Sequence, residues 1–327
     1  MTTARSLLVD PESPGYYHCI SRCVRRAWLC GTDPYNGKSY EHRREWVEGR
    51  LLELAEIFAV GLYAYAVMSN HVHVVVRIDP HATFAWSNEE VAQRWVRLFP
   101  ATVEGEVDFA ACEVKEQNLL GNPERLEICR QRLGSLAWFM HSLNEPIARR
   151  ANREDACTGR FWEGRYKCQA LLDDAAVLTC MSYVDLNPIR ARVAENLETS
   201  VHTSALQRIR AIENDARVAS IPLSGIRSIS SNASLPLSVA DYLDVIDWTA
   251  RLTRADKRRA ISATEPPILR KLGLSERQWS TQTLGTETRY ARAIGCAQTL
   301  IEKARSMGQC WMKGVSGARS LMRLRPT

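Results

Sequence analysis

The chain has 327 residues, of which 45% are hydrophobic and 24% charged, the composition of an ordinary globular protein. It contains no run of about 18 apolar residues that would predict a membrane span, and its N-terminus lacks the apolar stretch of a secretory signal. Ten cysteines are scattered without CxxC spacing, which is typical of reduced thiols. We therefore expect a cytoplasmic protein with no membrane partner.

The charge is uneven along the chain. Residues 199–327 carry 20 Lys and Arg against 10 Asp and Glu, a net charge of +10, whereas residues 1–198 carry a net charge of −4. A basic region of this kind is typical of proteins that meet a polyanion, although a solvated helical surface has the same composition. The division predicts two domains, with a boundary near residue 198.

The first part of the chain alternates strand and helix patterns. Residues 16–24 are aromatic and β-branched and predict a strand, and residues 41–59 place apolar side chains at helical spacing. Two more apolar runs, 61–69 and 71–79, flank a tight turn. Together they predict an antiparallel hairpin.

Residues 80–130 interrupt this pattern and predict an insertion, in which only 88–98 has helical character. After it, residues 133–152 predict a helix, 165–172 a strand, and the residues from 174 onward another helix. The order strand–helix–strand–strand–helix–strand–helix is that of a split βαβ motif. We therefore predict an α+β fold, with a ferredoxin-like antiparallel sheet and helices packed on it.

The C-terminal part has a different pattern. Residues 218–238 are rich in serine and predict a linker or loop. Helical spacing returns over 239–260, 265–280 and 285–306. We therefore expect residues 199–327 to form a basic, mostly α-helical extension.

The sharpest chemical signal is the sequence His71-Val72-His73. Residues i and i+2 of a strand point to the same face, so both imidazoles project together. Two neutral imidazoles make half of a site for a divalent metal ion. Chance also produces this pattern often, with each histidine bonded only to neighbouring groups.

The second signal is Tyr183 with Asn187, four residues apart in a predicted helix. At that spacing both side chains share one face. A tyrosine hydroxyl is a nucleophile once it is deprotonated, and an amide oxygen is a reasonable ligand for Mg²⁺ or Mn²⁺. Pro188 disfavours helical geometry at Asn187, so we expect the helix to kink or stop there. In isolation, a tyrosine packed between helix and sheet explains the pattern as well.

The third signal is the segment RFWEGRYK, residues 160–167, in which basic residues alternate with aromatic ones. That combination suits phosphate contacts together with base stacking. A strand entry with a buried Trp162 has the same pattern.

Four motifs in this order resemble those of the single-tyrosine HUH transposases, and in particular of the REP-associated tyrosine transposases and the related small insertion-sequence transposases. They are YHCISR at 17–22, HVH at 71–73, FWEGRYK at 161–167 and SYVDLNPIR at 182–190. The resemblance covers about residues 14–200, interrupted by the insertion, and the combination of motifs is more specific than any one of them. The segment after the last motif, ARVAENLETSVHTSALQ, departs from the family pattern, which leaves the link to the C-terminal region undefined.

The resemblance implies that residues 1–198 form a catalytic domain that cleaves and rejoins single-stranded DNA with a divalent Mg²⁺ or Mn²⁺ ion. By motif position, His71 and His73 are the metal ligands, Asn187 is the third, polar ligand, and Tyr183 is the nucleophile. Its attack gives a 5′-phosphotyrosine and a 3′-hydroxyl, and the covalent bond conserves the energy needed for religation.

The resemblance also implies the nucleic-acid partner. Family members recognise hairpins formed by palindromic repeats beside a single-stranded target. Since one tyrosine supports one covalent attachment at a time, the exchange of two strands suggests a homodimer. We predict that Arg22, Arg165 and Lys167 contact the DNA backbone.

Two other functions fit parts of the sequence. A non-catalytic nucleic-acid-binding protein derived from a transposase explains the basic tail, but it needs neither the two histidines nor Tyr183. A metallohydrolase explains the histidines, but it needs an acidic ligand and an attacking water. Tyr166 is a rival nucleophile, although it lies on a predicted strand.

Overall fold

The computed structural model describes residues 7–24, 28–35, 37–227, 233–253, 266–271, 273–289 and 292–322. Its first elements agree with the sequence prediction to within a few residues. They are strand β1 (Gly15–Arg22), helix α1 (Arg43–Ile57), and the hairpin strands β2 (Val60–Val67) and β3 (His71–Ile78).

The predicted insertion is folded. It starts with a 3-10 helix over Pro80–Ala85, and its elements are α2 (Asn88–Leu98), the short strands β4 (Thr102–Val103) and β5 (Glu106–Val107), α3 (Phe109–Leu120) and α4 (Pro123–Leu133). Only α2 had been predicted. Helix α3 buries a single residue, Leu119, so it has no apolar stripe from which its period could be read.

The chain then returns to the sheet. Helix α5 (Leu136–Glu154) is followed by β6 (Lys167–Leu171) and α6 (Asp174–Asp185). The side chain of Asp173 caps α6 by accepting a hydrogen bond from the Ala176 amide at 2.8 Å. A short helix, α7 (Asn187–Arg190), follows at once, so the predicted interruption is present, but it falls at Leu186, and Pro188 lies in the first turn of α7.

The described part of the C-terminal region is largely helical. It contains α8 (Ser204–Asn214), a 3-10 helix (Ala216–Ser220), α9 (Val239–Thr253), α10 (Pro267–Lys271), α11 (Glu276–Arg289), strand β7 (Ala293–Ile294), α12 (Ala297–Ser306) and α13 (Val315–Met322). The predicted helix over 239–260 is present to residue 253, and its remainder lies outside the described residues.

The main sheet has the strand order β2-β3-β1-β6-β7. Its first four strands pair antiparallel, whereas β7 pairs parallel to β6 through Ala170–Ala293 and Leu171–Ile294. The prediction of a purely antiparallel sheet is therefore wrong at this edge, and so is a continuous helix over 285–306. Strand β7 has two residues and its partner lies far upstream, so no local pattern reveals it.

The pairing register assigns residues to the two faces of the sheet. His73 lies opposite Ile20, and His18 lies opposite Gln169, so the side chains of His18, His73 and Gln169 share one face. Helix α6 packs on this face over β2 and β3. Ala64 and Ala66 of β2 lie on the same face, and their small side chains let the helix approach closely.

The C-terminal region packs against the sheet and helix α6. One cluster of buried apolar side chains runs from Leu8 to Ala318, and α11 contacts α6. Asp185, at the end of α6, accepts hydrogen bonds from Ser204, from the Ala205 amide at 2.9 Å and from the Tyr242 hydroxyl at 2.6 Å. The boundary near residue 198 remains a prediction, but the packing is continuous across it.

Among the described helices, none combines the length and the apolar character that crossing a bilayer requires.

Candidate active site

The β2–β3 hairpin brings His71 and His73 together. The tight turn at Ser69 and Asn70 is closed by a 2.9 Å hydrogen bond from the Met68 amide to the His71 carbonyl. The two ring centroids lie 4.7 Å apart. His73 is fully buried, whereas His71 is half-buried at the start of β3. The side chains of His71 and His73 therefore lie on one face of the sheet, as expected.

A chain of hydrogen bonds holds the His73 ring. Nδ1 of His73 lies 3.0 Å from Nε2 of His18, and Nδ1 of His18 lies 2.9 Å from Oε1 of Gln169. Because the Gln169 oxygen only accepts, His18 donates from Nδ1, and its Nε2 then accepts from Nδ1 of His73. This order leaves the lone pair of His73 on Nε2.

His71 has the same arrangement. Its Nδ1 lies 2.6 Å from Oδ1 of Asn70, the residue before it in the turn. The amide oxygen accepts the Nδ1 proton, so the lone pair of His71 is also on Nε2. Metal-binding histidines commonly have this arrangement, in which the second ring nitrogen donates to a neighbouring oxygen or nitrogen.

The electrostatic environment keeps His73 neutral. Burial lowers the pKa of His73 well below its ordinary value, and the neighbouring charges of His18, His71 and Arg190 lower it further. A neutral imidazole is the form that binds a metal ion.

Tyr183 meets the histidines on the same face of the sheet. Its ring centroid lies 5.7 Å from that of His73 and 6.2 Å from that of His18, with edge-to-face geometry in both cases. Only 4% of the residue is exposed. The Tyr183 ring thus contacts two imidazoles while it also belongs to the buried apolar cluster.

Arg190 covers the Tyr183 ring. The guanidinium carbon lies 4.5 Å from the ring centroid, which is a cation–π geometry. Arg190 is solvent-exposed and ends α7, the helix that follows the break at Leu186. The helix break therefore brings a cation to the predicted nucleophile.

Asn187 begins α7, so it no longer continues the helix that carries Tyr183. Its side-chain nitrogen is buried and has no hydrogen-bond partner among the described residues. A half-turn of the amide would put the side-chain oxygen at that buried position.

These donors fit a divalent cation in chemical type. Two imidazole nitrogens and one amide oxygen are ligands that Mn²⁺ accepts, and Mg²⁺ accepts the oxygen more readily. The described residues contain no group of three or more His, Cys, Asp and Glu side chains placed to hold a metal ion. A site at His71 and His73 therefore needs its third protein ligand from a residue such as Asn187.

The three predicted DNA contacts lie at the surface near this site. Arg22 pairs in register with His71, and Lys167 pairs with Ile20, which places both on the face of the histidines. Arg165 is exposed in the loop before β6. An ion pair of 3.7 Å joins Arg22 to Glu163. Their contacts with DNA remain a prediction.

Sequence reasoning missed Gln169 and Arg190 and left His18 without a definite role. His18 and Gln169 were detectable only through strand register, which no local pattern specifies. Arg190 could have been noticed as the basic residue seven positions after Tyr183. The direction in which its side chain points could not be predicted, because the helix breaks between the two residues.

No protein-family model matches the chain, and no curated protein matches it. Among solved structures, it is similar to a REP-associated tyrosine transposase bound to a REP hairpin, with 9% sequence identity and a TM-score of 0.33. The similarity covers 64% of this chain and 86% of that one. A likeness this distant does not assign the chain to a family.

Proposed function

We propose that the protein is a metal-dependent endonuclease and transposase that cleaves and rejoins single-stranded DNA at hairpins or palindromic repeats. The observation that carries the proposal is the 5.7 Å separation between the rings of Tyr183 and His73. The Tyr183 phenol lies beside His73, whose ring neighbours that of His71, so a nucleophile lies next to a place for a cation.

The topology supports the finer fold assignment in this proposal, a ferredoxin-like HUH endonuclease domain. The strands β2-β3-β1-β6 form an antiparallel sheet, and the chain enters them as strand, helix, strand, strand, helix, strand. We include the parallel strand β7 and the helices after it as an extension of that domain.

Tyr183 is the nucleophile in this mechanism. Its oxygen attacks the scissile phosphorus, the Oη–P bond forms, and the P–O3′ bond breaks. The phenol loses one proton and the departing 3′ oxygen gains one, so the step needs no net proton. Reversal by a second 3′-hydroxyl restores the tyrosine and joins the strands without ATP.

His71, His73 and Asn187 would hold the cation. When bound, a divalent ion would neutralise negative charge on a non-bridging phosphate oxygen and orient the scissile phosphate. His18 and Gln169 keep the His73 ring in position through their hydrogen bonds.

Arg190 would control access to Tyr183. Its guanidinium lies over the phenol ring, and Arg190 itself is exposed. A phosphate that binds this guanidinium draws it off the ring and arrives beside the nucleophile. A single nucleophilic tyrosine per chain also makes a homodimer part of the proposal, since exchange of two strands needs two attachments.

The test is the formation of a protein–DNA covalent adduct. The full-length protein is incubated with a labelled hairpin that has single-stranded flanks, in the presence of Mg²⁺ or Mn²⁺ and of chelator, and is resolved on a denaturing gel. We expect a metal-dependent adduct that is lost in Tyr183→Phe and retained in Tyr166→Phe. Both substitutions remove one hydroxyl from a buried tyrosine, so the pair is matched.

Each other outcome overturns a defined part of the proposal. Adduct formation by Tyr183→Phe but not by Tyr166→Phe would move the nucleophile to Tyr166. Cleavage without any adduct would indicate hydrolysis by water, and hairpin binding without cleavage would indicate a non-catalytic nucleic-acid-binding protein.

A further inference from the structure

A cavity with both cationic and apolar lining residues lies in the C-terminal region, at the edge of the sheet. It has a volume of about 360 Å³ and is lined by Arg292, Gln309, Trp311, Met312 and Lys313. None of these residues belongs to the site around Tyr183. Its size suits a small group such as a nucleobase.

Trp311 presents an open aromatic surface in this cavity. It is 60% exposed, although tryptophan is highly buried on average in folded proteins. Met312 beside it is buried and anchors the segment. An exposed indole held by a buried neighbour is suited to stacking against a flat ring.

Two cationic side chains line the same cavity as the indole. The Arg292 guanidinium donates to Oε1 of Gln309 at 3.1 Å, which orients it at the cavity, and Lys313 is exposed. Over residues 292–322 the sequence has five Lys and Arg against one Glu. The positive charge favours an anionic ligand, and the exposed indole favours one with a flat ring.

The sheet connects this cavity to the histidine network. The Ala170 amide donates to the Arg292 carbonyl at 2.9 Å, so Arg292 lies beside Gln169 on the neighbouring chain segment. Gln169 is bonded to His18, which is bonded to His73. β7 and β3 are three strand spacings apart, which at about 4.8 Å per spacing is roughly 14 Å, the span of a few nucleotides.

We propose that this cavity binds one unpaired nucleotide of a DNA single strand, with the base stacked on Trp311 and the adjoining phosphates paired with Arg292 and Lys313. The identity of the strand rests on the proposed function, but binding in the cavity requires no cleavage. The C-terminal region thus acts as a guide for the strand that leads to Tyr183.

Binding is measured in the Tyr183→Phe background, so that no strand is cut. The probe is a labelled single-stranded oligodeoxynucleotide without secondary structure, titrated into the full-length protein and followed by anisotropy. We expect Trp311→Ala to weaken binding about tenfold, because it removes one stacked base, and Trp311→Phe to retain most of the affinity. Phe109→Ala is the matched control, since Phe109 is 78% exposed and lies in the insertion.

Lys313→Gln supplies a second measurement that does not depend on stacking. Loss of one phosphate contact reduces the slope of log affinity against log salt concentration by about 0.7 for a single strand. Photocrosslinking of an iodouracil-containing oligodeoxynucleotide is expected to label the peptide that contains Trp311.

The proposal is overturned if Trp311→Ala binds DNA as tightly as its parent and no crosslink maps to this peptide. It is also overturned, in favour of RNA, if the matching oligoribonucleotide binds more tightly through Trp311. If no adduct forms but DNA binding still depends on Trp311, the proposed nuclease function is refuted. The assignment of the cavity as a nucleotide-binding site then stands.

Discussion

Nε2 of His18 lies 3.0 Å from Nδ1 of His73, in the buried centre of the sheet face that also holds Tyr183. The contact decides which ring nitrogen of His73 carries the lone pair. In the proposed mechanism, a residue on the first strand therefore orients a metal ligand on the third strand, although the two are far apart in sequence.

We predict that His18→Phe weakens the binding of Mn²⁺ by about 10- to 100-fold, the usual effect of removing a partner that orients a metal-binding histidine. The substitution leaves the Nδ1 proton of His73 without its acceptor and releases the ring. Isothermal titration calorimetry of the full-length protein measures the change directly.

The control for this prediction is His81→Ala, because His81 is an exposed histidine outside the site. We expect it to leave the affinity for Mn²⁺ unchanged. Equal affinities for His18→Phe and the wild type would show that the contact between His18 and His73 has no role in metal binding.

Arg190→Gln is predicted to slow DNA cleavage by about 100-fold, within the range measured when one preorganised electrostatic donor is removed. The guanidinium carbon lies 4.5 Å from the centroid of the Tyr183 ring, and in the proposed mechanism it stabilises negative charge on the attacking oxygen or on the phosphate. Single-turnover cleavage assays measure the rate. Arg190→Lys keeps the charge and is expected to recover part of it, whereas equal losses in both variants would indicate a structural role.

Much of the sheet could be predicted from the sequence, because its strands carry local patterns. β1 is aromatic and β-branched, β2 and β3 flank a tight turn, and α6 begins at an Asp that caps it. The shared face of His71 and His73 follows from alternation alone.

The remainder of the site depended on information that is not local. Gln169 reaches His18 through the pairing of β6 with β1, and Arg190 reaches Tyr183 through a helix break. Strand β7 is too short to carry a pattern, and its pairing partner β6 lies far earlier in the chain. Register and chain direction after a break are properties of packing, which short sequence windows do not specify.

Asp185→Asn is predicted to lower the free energy of unfolding by about 1–3 kcal/mol. The carboxylate is fully buried and accepts hydrogen bonds from Ser204, Ala205 and Tyr242, and an amide has only one oxygen to offer them. Urea denaturation followed by circular dichroism measures the change.

Asp174→Asn serves as the control for that experiment. It makes the same chemical change at an exposed position in the first turn of the same helix, so we expect a loss of less than about 0.5 kcal/mol. If the two variants lost equal stability, the hydrogen bonds of Asp185 would not be the connection that holds α6 to the C-terminal region.

The stability of the protein should depend on pH through Glu48, a residue of α1 on the opposite face of the sheet from Tyr183. Burial disfavours its charged form, but hydrogen bonds from His202 and Tyr65, both 2.6 Å long, lower the pKa of Glu48 below its ordinary value of 4.5. A carboxylate with a lowered pKa stabilises the fold above the unfolded value and loses that contribution as the pH falls through the folded value. The melting temperature of the wild type should therefore exceed that of Glu48→Gln at pH 6, and the difference should shrink as the pH falls below 4.5 and through the folded pKa of Glu48. A difference that stayed constant from pH 6 to pH 3 would mean that Glu48 stabilises the protein without its charge.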